Sequence, residues 1–481
     1  MTIASMEFGR NRLGKGDRIA IVGAGPAGVH LAHLLKRRGY RSVTLFEREP
    51  GVGGRAMSVR HDGFVHEMGA CYIPEHYHEF RRLVREYDVG AFDTPKGHDR
   101  SIYTSEFDGT MREYPIAAYG ERLMEGLVRS GELGRASKVS RLVQLLAAIR
   151  RYFRLRTRLL GDSGYPLGVT PSTAAAAELA RPFLDVAREH RLQVMLPYFR
   201  LAQSAQGYGI LETIPTLYVL LWNVPDLVTA FIKNRLGIAR RPVFRMLDVG
   251  IQSVFARVAT ADGVDVRANT AVASVHREDD RVRINTVSAG RTEVHDVDQV
   301  IFTIDLPDTV RLIGKPTAME RDTASAITGS TFVTTLFEAD RWPVAAGIAY
   351  VIDPFRPGST FGVSGLRDVR YRFPEASAAR CAAVAYQYAD RLPDPAGETA
   401  FAARFDSEMA TLGFTGVHAI QRKEWPYFLR FTGESIARGV PWRLFESQGT
   451  QRTWYAGSSA CFESLNDVMR YNLLLLERYA E

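Results

Sequence analysis

Cysteine is scarce in this chain, three in 481 residues at Cys71, Cys381 and Cys461. The three are widely spaced and odd in number, which excludes a disulfide framework and any metal site of Cys-x-x-Cys type and fits a reducing cytoplasm. Long apolar runs are missing too. No stretch reaches the 18 or so residues needed to span a bilayer. Met1 to Asp17 is polar and lacks the apolar core of a signal peptide, so it reads as a loose arm and the expected location is cytoplasmic. No internal repeat, low-complexity tract, catalytic triad or carboxylate dyad is evident. His66, His76 and His78 cluster without supporting Cys or Asp ligands, so no metal is expected there. A formal net charge of +7 suggests polyanions, but no nucleic-acid-binding module accompanies it.

What is present begins at Arg18. Arg18 to Val22 is an apolar run of buried-strand type that enters Gly23-Ala24-Gly25-Pro26-Ala27-Gly28, a G-x-G-x-x-G turn. Gly23 permits the turn, Gly25 lets the backbone approach a pyrophosphate, and Gly28 lets the following helix pack closely, with Ala27 at its first turn. Val29 to Arg38 continues as a helix with Leu31, Leu34 and Leu35 on one side, Gly39 stops it, and Val43 to Phe46 is the second strand. Glu47 ends that strand about 20 residues beyond the last glycine, where a carboxylate is expected to accept hydrogen bonds from a ribose diol.

The continuation favours FAD over NAD. Glu47-Arg48 is followed by Gly53-Gly54-Arg55 and then by Glu67-Met68-Gly69-Ala70, and near the C-terminus lies Tyr455-Ala456-Gly457-Ser458. In these segments the chain resembles the flavin-containing amine oxidase superfamily. That resemblance implies non-covalent FAD held by Arg48, Gly54, Arg55, Gly69, Ala70, Gly457 and Ser458. It also implies adenine against the backbone of Val272, and a last helix whose N-terminal end, near Asp467 and Val468, faces the flavin. Relatives carry glutamate where Ser458 stands, so the contact there must differ. Asn466 is the expected cap of the last helix. Cys71 and Cys461 fall near the expected flavin and read as small buried cysteines rather than covalent attachment points.

Val264 to His276, Arg281 to Val287 and Asp298 to Ile304 read as strands. The fold expected is α/β: a two-dinucleotide-binding FAD domain from residues 1–85, 245–310 and 440–481, with an inserted mixed α+β substrate domain from 86–244 and 311–439.

Further pieces resemble the bacterial polyunsaturated fatty acid isomerase branch of the superfamily: Pro95-Lys96 leading to Arg100, Gly207-Tyr208-Gly209, Gly250-Ile251-Gln252 and Trp425-Pro426-Tyr427-Phe428. Arg150 to Gly168 departs from that branch. The resemblance implies double-bond isomerisation of an unsaturated fatty acid, acyl or polyene substrate, with flavin N5 taking a hydride from a carbon between two double bonds and returning it further along. Such chemistry needs no acid–base pair. Arg100 is then the candidate carboxylate clamp, because guanidinium binds carboxylate in a fork. Tyr208, Tyr427 and Phe428 are candidate channel walls, or plain core packing. An amine oxidase or a desaturase passing electrons to oxygen or another acceptor uses the same motifs and stays open. Finally, Ser137 to Leu160 carries Lys138, Arg141, Arg150, Arg151, Arg154, Arg156 and Arg158 with no acid, and Leu142, Leu145, Leu146, Ile149, Phe153 and Leu155 lie on roughly one helical face. This basic amphipathic helix is a lid or surface helix, a membrane-surface contact, or a docking site for an acyl carrier.

Overall fold

The computed structural model of the chain describes residues 12–92, 100–105, 110–162, 165–235, 238, 242–343, 348–355, 361–368, 382–392 and 397–481. The apolar strand Ile19–Val22 is wholly buried, as a strand covered on both faces must be. It pairs in parallel with Val43–Phe46 on one side and Gln299–Phe302 on the other. Asp265–Arg267 and Thr453–Tyr455 complete a five-stranded parallel sheet at its two edges. Helix Pro26–Arg37 runs between the helices Ile251–Ala261 and Leu465–Tyr479 and is buried along most of its length. This is the α/β arrangement expected of a doubly wound dinucleotide-binding sheet.

Val264 to His276 proves to be two strands in two different sheets. The chain turns at Asn269, whose φ is +52°, and Thr270 N–H donates to Glu47 O at 2.7 Å. Ala271–Arg277 then opens a three-stranded antiparallel sheet with Val282–Ser288 and Arg291–Val297. The last of these carries no apolar alternation because it is an exposed edge.

A second, mixed sheet has seven strands. Its order is His418–Phe431, Ile327–Glu338, Ala382–Ala389, Phe361–Asp368, Ile348–Val351, Arg100–Ser105 and Met111–Pro115. Helices from Ile116–Arg129 to Pro225–Arg235 complete the α+β part. The basic segment is one helix, Lys138–Leu160, capped by Ser137 Oγ accepting from Ser140 N. It packs from Leu145 onward, with Ala148, Ile149, Tyr152, Leu155, Leu159 and Leu160 buried. In the first half Leu142 and Leu146, expected on the inner face, are each 47% exposed, and Val139 and Val143 are more so. Among the described residues no helix is long and apolar enough to cross a membrane.

Candidate functional site

The glycine turn builds one end of the site from backbone alone. Gly23 sits at φ +102°, and a Cβ on Gly28 would lie 2.0 Å from Gly23 O, so strand and helix touch at that point. Helix Pro26–Arg37 starts at Gly25 with no side-chain cap, leaving its first amides open. Glu47 is buried, and its carboxylate accepts from Ala24 N–H at 2.7 Å and Glu49 N–H at 2.9 Å, which fixes it beside the turn. Gly53 N–H donates to Ala24 O, and a Cβ on Gly54 would meet Gly25 Cα at 3.1 Å. Gly69 abuts Arg55 O in the same way, and Gly457, at φ +92°, abuts Thr303 O.

These segments line one cavity of about 890 Å³. Gly23, Gly25, Ala27, Glu47, Arg48, Gly54, Arg55, Gly69, Ala70, Val272, Gly457, Ser458 and Val468 all face it; Gly28 and Asp467 do not. Gly28 acts behind the wall as the helix–strand contact. Asp467 is drawn into a cap: Ser464 is the N-cap of Leu465–Tyr479, in place of the expected Asn466. Ser464 Oγ accepts from Asp467 N–H and its hydroxyl donates to the Asp467 carboxylate. Burial pushes the Asp467 carboxyl up to about 6. An uncapped helix start, an anchored carboxylate and glycine walls without Cβ atoms fit the pyrophosphate and ribose of FAD.

Arg55 lines the cavity. Its guanidinium donates to Asp305 Oδ2 at 2.6 Å, Pro426 O at 2.8 Å and Ser458 Oγ at 2.9 Å, and lies 3.5 Å from Glu463 Oε1. Burial opposes its charge, but Asp305 and Glu463 outweigh that and hold it firmly protonated. Ser458 is thus an acceptor for Arg55, and a carboxylate that meets Arg55 comes from Glu463 five residues on. Burial pushes the Glu463 carboxyl up, and its Oε2 has no hydrogen-bond partner among the described residues.

Beyond Arg55 the wall becomes aromatic. Tyr208 stacks on Tyr427 at 5.9 Å, Tyr427 on Phe332 at 4.9 Å, and Phe332 lies 5.5 Å from Tyr386. All four line the cavity. The Tyr208 hydroxyl donates to Glu463 O and the Tyr427 hydroxyl to Gln206 O, so these two rings offer their carbon surfaces to the cavity. Phe428 does not join them. It is fully buried at φ +47° behind Tyr208, in the bulge where strand His418–Phe431 slips register against Ile327–Glu338. Phe428 is core, the alternative the sequence left open.

Arg100 begins a strand whose backbone pairs with Ile348; its side chain lies outside the described residues, as does the Pro95-Lys96 segment. Burial pushes both described thiols up, holding Cys71 and Cys461 as neutral thiols. Cys71 lines the cavity, whereas Cys461 donates to Gly457 O. His61, Asp62 and Glu338 bring ligand atoms within 4.8 Å of one another, a group distinct from the three histidines singled out in the sequence. Sequence reasoning missed Asp305, Phe332, Tyr386 and Glu463. Each lies outside a recognisable motif, and its place depends on strand register or on a loop's return.

The family model of flavin containing amine oxidoreductases matches residues 26–336. Over its whole length the chain is similar to the polyenoic fatty acid isomerase of Ptilota filicina, 24% identical across 94% of this chain and 93% of that one. Among solved structures it is similar to the fatty acid isomerase from P. acnes that produces CLA, with a TM-score of 0.74, 21% identity and coverage of 97% of this chain and 99% of that one. It is also similar to putrescine oxidase bound to putrescine, with a TM-score of 0.61, 15% identity and coverage of 96% and 98%.

Proposed function

This chain belongs to the flavin containing amine oxidoreductase family, and from that premise we propose that it is an FAD-dependent double-bond isomerase acting by an internal hydride shuttle on an unsaturated fatty acid, acyl or polyene substrate. The observation that carries this reading is the continuity of one cavity, from the open helix start at Gly25 to the stacked rings of Tyr208, Tyr427, Phe332 and Tyr386. The full-length likeness to a polyenoic fatty acid isomerase supports it.

The chemistry that bound flavin supplies is reversible hydride exchange at N5. The residues do the rest. Gly23, Gly25, Ala27, Glu47, Arg48, Gly54, Gly69, Ala70, Val272, Gly457, Ser458 and Val468 hold FAD non-covalently, the cavity-lining thiol of Cys71 being held neutral. Arg55, clamped by Asp305 and Glu463, fixes a positive charge at the junction of cofactor and substrate spaces. The rings of Tyr427 and Phe332 exclude water and present negative π-faces to a substrate that becomes electron-poor. The inserted segments 86–244 and 311–439 carry the substrate.

The outer half of helix Lys138–Leu160 offers Val139, Leu142, Val143 and Leu146 to solvent in a helix with seven basic residues and no acid. That pairing suits an anionic lipid surface, from which an apolar substrate partitions into the protein.

The test is anaerobic mixing of the yellow protein with polyunsaturated fatty acids and with amines, following flavin absorbance and product mass. A product of unchanged mass and altered ultraviolet absorbance, with the flavin left oxidised, supports the isomerase. Stable bleaching reversed by air, with a product two hydrogens lighter, moves the assignment to the oxidase or desaturase alternative.

A further inference from the structure

At the far end of the aromatic row from Arg55 lies a buried cation that the proposed reaction has not used. Arg367, on strand Phe361–Asp368, is 4% exposed. Its guanidinium sits 5.5 Å from the centre of the Tyr386 ring and donates through Nη2 to the backbone carbonyl of Glu67. Two polar atoms at this spot, Arg367 Nη1 and Tyr386 Oη, are buried without a hydrogen-bond partner among the described residues. Other described residues also leave one such atom, but here two meet at the wall of one cavity, which marks a place where a third group belongs.

Register puts the pair on the cavity side of the sheet, with Tyr386 in the cavity wall and Arg367 directly behind it against the Tyr386 ring. Gly365 pairs with Tyr350 on one side and Tyr386 on the other, and both tyrosines line the cavity. Arg367, two residues on from Gly365, shares that face, and it pairs with Ile348, which also lines the cavity. The groups nearest in charge are Tyr386, Cys71, Tyr72 and Glu67. The first three line the cavity. The Glu67 carboxylate lends its field but already accepts from Ile251 N–H at 2.7 Å and Ser58 Oγ–H at 2.6 Å. Beside the pair lies only the neutral Cys71 thiol, a weak acceptor in contact with both Arg367 and Tyr386, so the guanidinium still lacks a strong acceptor, and the group that suits it and a neighbouring phenol is a carboxylate.

We propose that Arg367 and Tyr386 bind the carboxylate of a free acid, so that the substrate lies with its head group against the seven-stranded sheet and its chain along Phe332, Tyr427 and Tyr208 towards Arg55. The proposal rests on the acyl reading of the cavity and names the end at which the acyl chain is held. Arg100 begins the strand on the other side of Ile348, so its backbone lies in the same row of the sheet.

The test compares binding of a dienoic fatty acid and of its methyl ester to the flavin-loaded protein, by calorimetry or by perturbation of the flavin spectrum. The wild type is expected to prefer the acid by about tenfold or more, the worth of one charge-assisted hydrogen bond. Tyr386→Phe should cut that preference severalfold, Arg367→Lys further, and Arg367→Gln should abolish it, with ester affinity unchanged. Tyr386→Phe keeps the ring and the guanidinium contact, so it decides the matter even when Arg367→Gln fails to fold. A wild type without acid preference, or a preference that survives Tyr386→Phe and Arg367→Lys, overturns the proposal. Isomer formation in the same samples separates the two readings. Isomerisation with an unaltered acid-to-ester ratio removes the clamp and keeps the isomerase, whereas a clamp that disappears with Arg367 in a protein forming no isomer does the reverse.

Discussion

The two ends of the cavity are walled by different means. Around Gly25 the surface is largely backbone, brought close by glycines and anchored by Glu47, and at the seam the Arg55 guanidinium has acceptors in Asp305, Pro426 and Ser458. Around Tyr386 the surface is side chain, and it holds buried polar atoms without partners. A wall made of backbone recognises a part of the ligand that does not vary, such as a pyrophosphate, because main-chain geometry has nothing to exchange. A wall made of side chains can be refitted residue by residue, and its unpartnered groups record the chemistry of what they are meant to meet.

The surest way to break the contrast is to put a side chain into the backbone wall. Gly28→Val would place a Cβ 2.0 Å from Gly23 O, where no rotamer change relieves the clash. The expected outcome is loss of bound flavin and destabilisation of about 3 kcal/mol or more, read by absorbance of the purified protein and by urea unfolding. Next in size is Arg55→Met at the seam. It leaves Asp305 and Glu463 without their cation; a fully buried pair would lose about 3 kcal/mol, and the partial exposure of Arg55 brings the expected loss below that. With FAD bound, the variant should unfold at lower urea than the wild type; an unchanged midpoint would show that the three groups are solvated enough not to depend on one another.

Those two effects fall where the sequence was most readable. Gly23, Gly25, Gly28 and Glu47 lie in one continuous stretch, so spacing alone fixes their relation. Two short-range departures, the Ser464 cap and the break at Asn269, came from hydrogen bonds that compete locally with a periodic pattern. The aromatic wall was legible only in part. Tyr208 and Tyr427 stood in recognisable pieces, but Phe332, Tyr386 and Arg367 reach the cavity through strand pairings far apart in sequence, with register shifts at Thr328/Ser330 and Val363/Gly365. A shift of one residue exchanges the faces of a strand, so no count along the chain shows that Arg367 shares a face with Tyr386 or that Phe428 turns away. Asp305 and Glu463 are brought to Arg55 by the loops that follow strands Gln299–Phe302 and Thr453–Tyr455.

A gentler change sharpens the contrast on the side-chain wall. Tyr427→Phe removes one hydrogen bond to Gln206 O and keeps the ring. Stability should fall by about 1 kcal/mol, and turnover of a polyunsaturated acid should be nearly unchanged if the ring face is what the substrate meets. A large loss of turnover with normal flavin content would mean that the hydroxyl has a task beyond its bond to the backbone.

The smallest effect expected comes from two groups outside the cavity lining, half-buried His76 and buried Asp467, that titrate in opposition. Burial holds His76 down to about 4 and pushes Asp467 up to about 6. Between pH 4 and 6.5 the unfolded histidine carries a proton that the folded one does not, so its contribution to stability rises with pH. Between pH 3.8 and 6 the folded Asp467 carries a proton that the unfolded one does not, so its contribution falls as pH rises through the folded value. In the wild type the two slopes largely cancel. Asp467→Asn keeps an acceptor and a donor for the Ser464 cap while removing one titration, so its urea midpoint should climb with pH across that window more steeply than the wild-type midpoint. A variant curve parallel to the wild type would place the Asp467 titration outside the window and leave burial of that carboxyl without consequence for folding.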